Sequence, residues 1–107
     1  MSLSEMRLLV FFDLPVRTKE ERAQATRFRK FLIDDGYYMI QYSLYGRLCA
    51  TIENAKVHEE RLKYHLPLKG SIRSMLITEK QYANMKILLG QKKKKDKNII
   101  EGQMSFF

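Results

Sequence analysis

A single cysteine, Cys49, stands among the 107 residues. It excludes an internal disulfide framework and suits a reducing compartment. Tryptophan is absent, prolines number two, and the five glycines are scattered, so no phosphate-cradling glycine loop is present. The longest uninterrupted apolar run is Leu8 to Phe12, far short of the ~20 residues that a spanning helix needs. No membrane association is expected. The opening stretch, MSLSEMR, has neither a charged n-region nor an apolar h-region, so the expectation is a cytoplasmic protein without a secretory signal. Acidic residues are also in short supply. They number 12 against 20 lysines and arginines, for a net charge of +8 and a sequence pI near 9.7. Such a balance favours polyanions, nucleic acid above all, as partners.

What is present amounts to one domain. Hydrophobic residues at 45% and charged residues at 30% are ordinary globular values, so global disorder is not expected. A chain this short buries only roughly two-thirds of its unfolded surface, which gives it reason to dimerise. Met6 to Phe12 reads as a strand, apolar throughout and therefore central in its sheet. Thr18 with Glu21 three residues on matches a capping box, opening a helix that runs to about Asp34, with Gly36 as terminator. Ala25, Phe28, Phe31 and Leu32 share one face of it. The segment YYMIQYSLYGRLCAT, 37–51, is rich in aromatic and β-branched residues and reads as two strands, about 37–42 and 43–50. A second helix follows over about 52–65, then a strand over 71–77. Thr78 with Gln81 forms a second capping box, opening a helix to about Leu89.

This order is the ferredoxin-like β-α-β-β-α-β plan, an α+β fold with an antiparallel sheet and helices on one face. The domain spans 1–90. Residues 91–107 are a basic linker, QKKKKDK, and an apolar end, NIIEGQMSFF, which reads as an extra strand added to the sheet edge of a partner chain.

Asp13 ends the first strand, where a carboxylate can stay hydrated at the sheet rim. Two readings are open: it caps the Leu14–Arg17 loop, or it holds a hard cation, which takes one or two carboxylates plus waters and phosphates. Arg17, Lys19, Arg22, Arg27, Arg29 and Lys30 surround the first helix and are candidates for neutralising phosphates. Tyr37, Tyr38, Tyr42 and Tyr45 could stack on bases, though packing is the favoured use. His58 and His65 lack a third zinc ligand in spacing and a nucleophile partner, and are expected to be exposed on their helix.

Several stretches together resemble one family. They are VFFDLP (10–15), FRKFL (28–32), Gly36, QYSLY (41–45) and TEKQYA (78–83). The resemblance, over about residues 6–90, is to the small CRISPR-associated adaptation protein, a dimeric ferredoxin-like endoribonuclease family that partners the spacer integrase, in its type II-like version. It implies a homodimer with C-terminal strands completing the partner's sheet. It also implies duplex DNA binding, bridging of integrase dimers, and Mg²⁺ at Asp13 as metal ligand and catalytic residue for cleavage of RNA or DNA. Ser43 and the basic residues after Asp13 are implied to lie near the dimer cleft. One departure is that Phe12 stands where many members carry tyrosine. A ferredoxin-like regulatory or ligand-binding module is the alternative, which the basic charge disfavours.

Overall fold

The computed structural model describes residues 5–90. The expected tail strand lies outside the described residues. Strand β1 (Met6–Asp13) is followed by helix α1 (Lys19–Asp34), β2 (Tyr38–Gln41), β3 (Leu44–Cys49), α2 (Ile52–Lys63), β4 (Ser71–Thr78) and α3 (Glu79–Ala83). The four strands form one sheet in the order β2-β3-β1-β4, with β1 antiparallel to both of its neighbours. The fold is ferredoxin-like. None of the described helices is long and apolar enough to cross a membrane.

The apolar run of β1 has the expected cause, since Leu8, Leu9 and Val10 are all buried. Side chains alternate along a strand, so Leu8, Val10 and Phe12 point towards α1 and α2. There they join Phe28, Leu32, Ala55, Leu62, Tyr37, Tyr45 and Cys49 in one core. Burying a side chain such as Phe28 contributes roughly 2–3 kcal/mol. On α1 the Thr18–Glu21 capping box forms as expected, and Gly36 ends the turn after the helix with φ 94°, where a Cβ would be strained.

Three details differ from the sequence reading. Helix α2 stops at Lys63. Helix α3 stops at Ala83, because five residues with no buried side chain give a longer helix little to pack against. And His58 is buried, not exposed. Its Nδ1 donates to Asp35 Oδ2 at 2.8 Å, while Arg61 Nη1 donates to Asp35 Oδ1 at 2.6 Å. Asp35 caps α1, so the trio ties the end of one helix to the face of the other. His65, beyond the helix, is exposed and stacks on Phe31 with ring centroids 3.9 Å apart.

Helix α3 lies on the other face of the sheet. Arg7 donates to Glu79 at 2.6 Å and to the Tyr38 hydroxyl, and Tyr38 in turn donates to the Tyr82 hydroxyl at 3.1 Å. Burial, reinforced by the Tyr82 hydrogen bond and opposed by Arg7, pushes the Tyr38 phenol up to about 12. It therefore remains a donor across neutral pH.

Burial acts to raise the pKa of Asp35, but the hydrogen bonds from His58 and Arg61 outweigh it and hold the carboxyl below its ordinary range. A group whose folded pKa is depressed contributes stability above its unfolded pKa and loses it as pH falls through the folded value. Asp35→Ala, which leaves His58 and Arg61 without their acceptor, is expected to cost about 3 kcal/mol in urea denaturation at neutral pH. The gap from wild type should shrink as pH drops below about 4.

Candidate nucleic-acid and metal site

Asp13 is the last residue of β1 and is exposed. It alternates to the face opposite the helices, together with Leu9 and Phe11. Across the ladder it pairs with Ser71, and Phe11 pairs with Arg73 on β4 and Leu44 on β3. Asp13, Phe11, Gln41, Ser43, Ser71 and Arg73 line one depression at the sheet's rim. Ser43 lines the same depression as Asp13. Its carbonyl also accepts from the Phe12 amide at 3.0 Å, which pins the β2–β3 turn to the end of β1.

The loop after Asp13 is closed by other residues. Glu21 accepts from the Arg17 and Thr18 amides at 2.9 and 3.1 Å, and Arg22 donates to the Val16 and Arg17 carbonyls. The backbone bond from Thr18 is the first reason the Glu21 carboxyl lies below its ordinary pKa. Among the described residues the Asp13 carboxylate makes no hydrogen bond. The loop-capping reading therefore has no contact to rest on among the described residues.

Gly70 packs against the backbone that follows the Asp13 side chain. With φ 109°, it sits so close to the rim that a Cβ there would meet the Asp13 carbonyl oxygen and a Leu14 methyl at 2.7 Å. Only glycine combines that backbone with that approach.

The basic candidates are exposed apart from Arg29, which is partly buried, and they do not form one cluster. At 100° per residue, Arg22 and Arg29 fall on one flank of α1, with Lys19 and Lys30 on its outward side. Arg27 falls on the opposite flank, where it lines a groove with Phe31 and His65. Arg17 lies in the loop before the helix. Lys30 is paired with Asp34 at 3.1 Å, both exposed, a contact of little weight. Arg29 is different. Its guanidinium lies 5.3 Å from the Phe12 ring and 3.8 Å from the Tyr42 ring.

Phe12 itself packs edge-on to Phe28 at 5.3 Å and against Tyr45 at 5.5 Å. It belongs to the core, on the face away from Asp13. Tyr37 and Tyr45 are buried and Tyr38 is bonded to Tyr82, so three of the four tyrosines pack as expected. Tyr42 does not.

Ser71 and Arg73 escaped the sequence reading. Their signal is the alternation in SIRSMLIT, but placing them beside Asp13 requires the register of β4 on β1.

The chain matches the family described as "CRISPR associated protein Cas2" over residues 6–85. It belongs to the Cas2 family. A relative from Acidovorax ebreus (strain TPSY), named "CRISPR-associated endoribonuclease Cas2", is 47% identical over 102 residues, covering 95% of this chain and 100% of that one. A relative of the same name from Ligilactobacillus salivarius (strain UCC118) is 49% identical over 96 residues, covering 90% and 95%. The crystal structure of Streptococcus pyogenes Cas2 superposes with a TM-score of 0.59 at 21% identity, covering 77% of this chain and 98% of that one. It supports the Cas2 fold.

The family resemblance implies Mg²⁺. Among the described residues, no three His, Cys, Asp or Glu side chains gather into a metal-holding group. An exposed carboxylate that lines one depression with Ser43 and Ser71 is the kind of oxygen donor a hard cation takes, the rest coming from waters and phosphates.

Gly70→Ala is expected to cost about 2 kcal/mol or more, because strained backbone and a close backbone contact coincide there. Chemical denaturation measures it. The same change at the exposed Gly90 should stay within about 0.5 kcal/mol.

Proposed function

We propose that this chain is a homodimeric subunit of CRISPR adaptation that binds duplex DNA and bridges integrase dimers. The observation that carries the proposal is the sheet face bearing Asp13. Neither α1 nor α2 covers it, and it holds partly buried Phe11 and Ile77 beside Met75 and Leu48, 49% and 46% exposed. An apolar strip of that kind on a basic surface favours a protein partner. A second copy related by a twofold axis covers like with like and brings the two Asp13 rims together. Lys19, Arg22, Arg29 and Lys30 then supply phosphate-neutralising charge on each protomer.

A second reading is favoured by Asp13, whose carboxylate makes no hydrogen bond among the described residues, and by the endoribonuclease names of the relatives. In it, the paired Asp13 carboxylates hold Mg²⁺ and the dimer cleaves RNA or DNA. When bound, the ion would polarise a phosphate and activate water. Asp13 would hold it, Ser43 and Ser71 would offer hydroxyls to it or to the substrate, and Arg73 would face the phosphate charge. Phe12 supplies no phenol to this chemistry. The scaffold is the primary role and cleavage the lesser one.

Labelled single-stranded RNA and duplex DNA incubated over a range of Mg²⁺ concentrations separate the two, with wild type and Asp13→Asn first checked as dimers. Duplex binding is expected to survive the substitution. Its affinity should fall on the order of 1,000-fold between about 50 and 200 mM salt if some six phosphates are neutralised. Metal-dependent cleavage is expected to drop on the order of 100-fold in Asp13→Asn, at least as much as the loss of a supporting contact to a metal ligand costs. Cleavage indifferent to the substitution would sink the nuclease reading. Duplex binding indifferent to salt would sink both, and would point to a ligand-binding module.

A further inference from the structure

Tyr42 sits in the β2–β3 turn with 69% of its surface exposed, yet its position is fixed from beneath. The Arg29 guanidinium lies 3.8 Å from the Tyr42 ring centroid and, on its inner side, 5.3 Å from the Phe12 ring. Arg29 Nη2 also donates to the Tyr42 carbonyl at 3.5 Å. Its Nε is buried with no hydrogen-bond partner among the described residues, so this cation is partly stripped of water and held by two rings. Behind Phe12 stands Phe28, edge-on at 5.3 Å. A column therefore runs from the core to the surface through Phe28, Phe12, Arg29 and Tyr42, and among the described residues it ends in an exposed aromatic face.

The place of that face in the fold suggests its ligand. Gln41 and Ser43, the chain neighbours of Tyr42, both line the depression around Asp13. Phe12, at the root of the column, immediately precedes Asp13 but points to the opposite face of the sheet, so the column and the depression adjoin only at the rim. Arg22 shares the flank of α1 that carries Arg29 and would attract phosphates. A guanidinium under a ring enhances neither hydrogen-bond reading nor shape selection; it orients a flat surface. Flat surfaces beside basic side chains are where nucleic-acid bases stack. Bases inside a duplex turn only their edges outward, so a free ring face suits a base that is out of the stack.

We propose that Tyr42 is a stacking platform for one unpaired base of a single-stranded segment passing Asp13, with Arg29 positioning the ring. This rests on the nucleic-acid-binding reading and adds to it a subsite for unpaired nucleotides. The platform has little means of reading base identity, so it tolerates sequence.

The test uses the full chain as wild type, Tyr42→Phe, Tyr42→Leu and Tyr42→Ala, with oligomeric state measured by sedimentation. Fluorescence anisotropy follows binding of a mixed-sequence single-stranded oligonucleotide and of a blunt duplex of equal length. A 2-aminopurine base in the single strand reports stacking directly by its quenching. Tyr42→Leu and Tyr42→Ala are expected to weaken single-strand binding by roughly 5- to 100-fold, the range for loss of one base–aromatic stack. They should also abolish a component of the quenching, while duplex affinity stays within about twofold. Tyr42→Phe keeps the ring and should behave as wild type.

Equal losses for single strand and duplex would overturn the platform, as would no loss for either. A changed oligomeric state in Tyr42→Leu or Tyr42→Ala would also overturn it, assigning the ring to a contact between copies. In each of those cases wild-type binding still stands, so the nucleic-acid reading survives. Wild type that binds neither probe would remove both.

Discussion

Strand β1 is paired with β4 from Met6 to Asp13 on one side and with β3 from Met6 to Phe11 on the other, and only on its helix-side face are the residues from Leu8 to Phe12 all buried. Period-two alternation then splits its residues between two different jobs. Leu8, Val10 and Phe12 pack under the helices, while Leu9, Phe11 and Asp13 belong to the opposite face. A slip of one residue in either ladder would exchange the two sets, driving Asp13 into the core and Phe12 into water. The double pairing therefore protects the exposure of a single carboxylate. The two phenylalanines look equivalent in the sequence, yet one is core and the other is surface.

The two faces of the sheet are completed in different ways. On the helix side, burial is finished within the described residues, and the buried His58 is paired, while the Tyr37 hydroxyl and Arg29 Nε have no hydrogen-bond partner there. Asp35 takes up both His58 and Arg61, so the one buried histidine and its carboxylate satisfy each other rather than marking a reactive site. On the Asp13 side, α3 covers only one end, held there by Arg7, Glu79, Tyr38 and Tyr82. Among the described residues the remaining strip is not covered by a helix, and its rim supplies one carboxylate where a hard cation takes more donors. On the proposed reading, dimerisation and ligand binding are one requirement, because the same surface serves both.

Much of this was legible in the residues. The capping boxes at Thr18–Glu21 and Thr78–Gln81 could be read because each is made within one turn of chain. The central position of β1 followed from an apolar run too long to have a wet face. The end of α3 was not legible, since a capping box announces where a helix starts and packing decides where it stops. His58 was misjudged as exposed because its partner, Asp35, lies 23 positions away and on another element. The same applies to Ser71 and Arg73, which acquire a role only from their register on Asp13.

The sequence by itself determined the order of elements, the basic charge and the family, since these depend on local pattern and on motifs spaced along the chain. It also singled out Asp13 by the abruptness with which an apolar strand ends. Tertiary structure alone decided what surrounds that carboxylate. The serines at its side, the glycine pressed against its carbonyl, and the ring column from Phe28 to Tyr42 come from four separate segments. Such neighbours are set by strand register and helix packing, and residues distant in the chain carry no local mark of the contacts they will make.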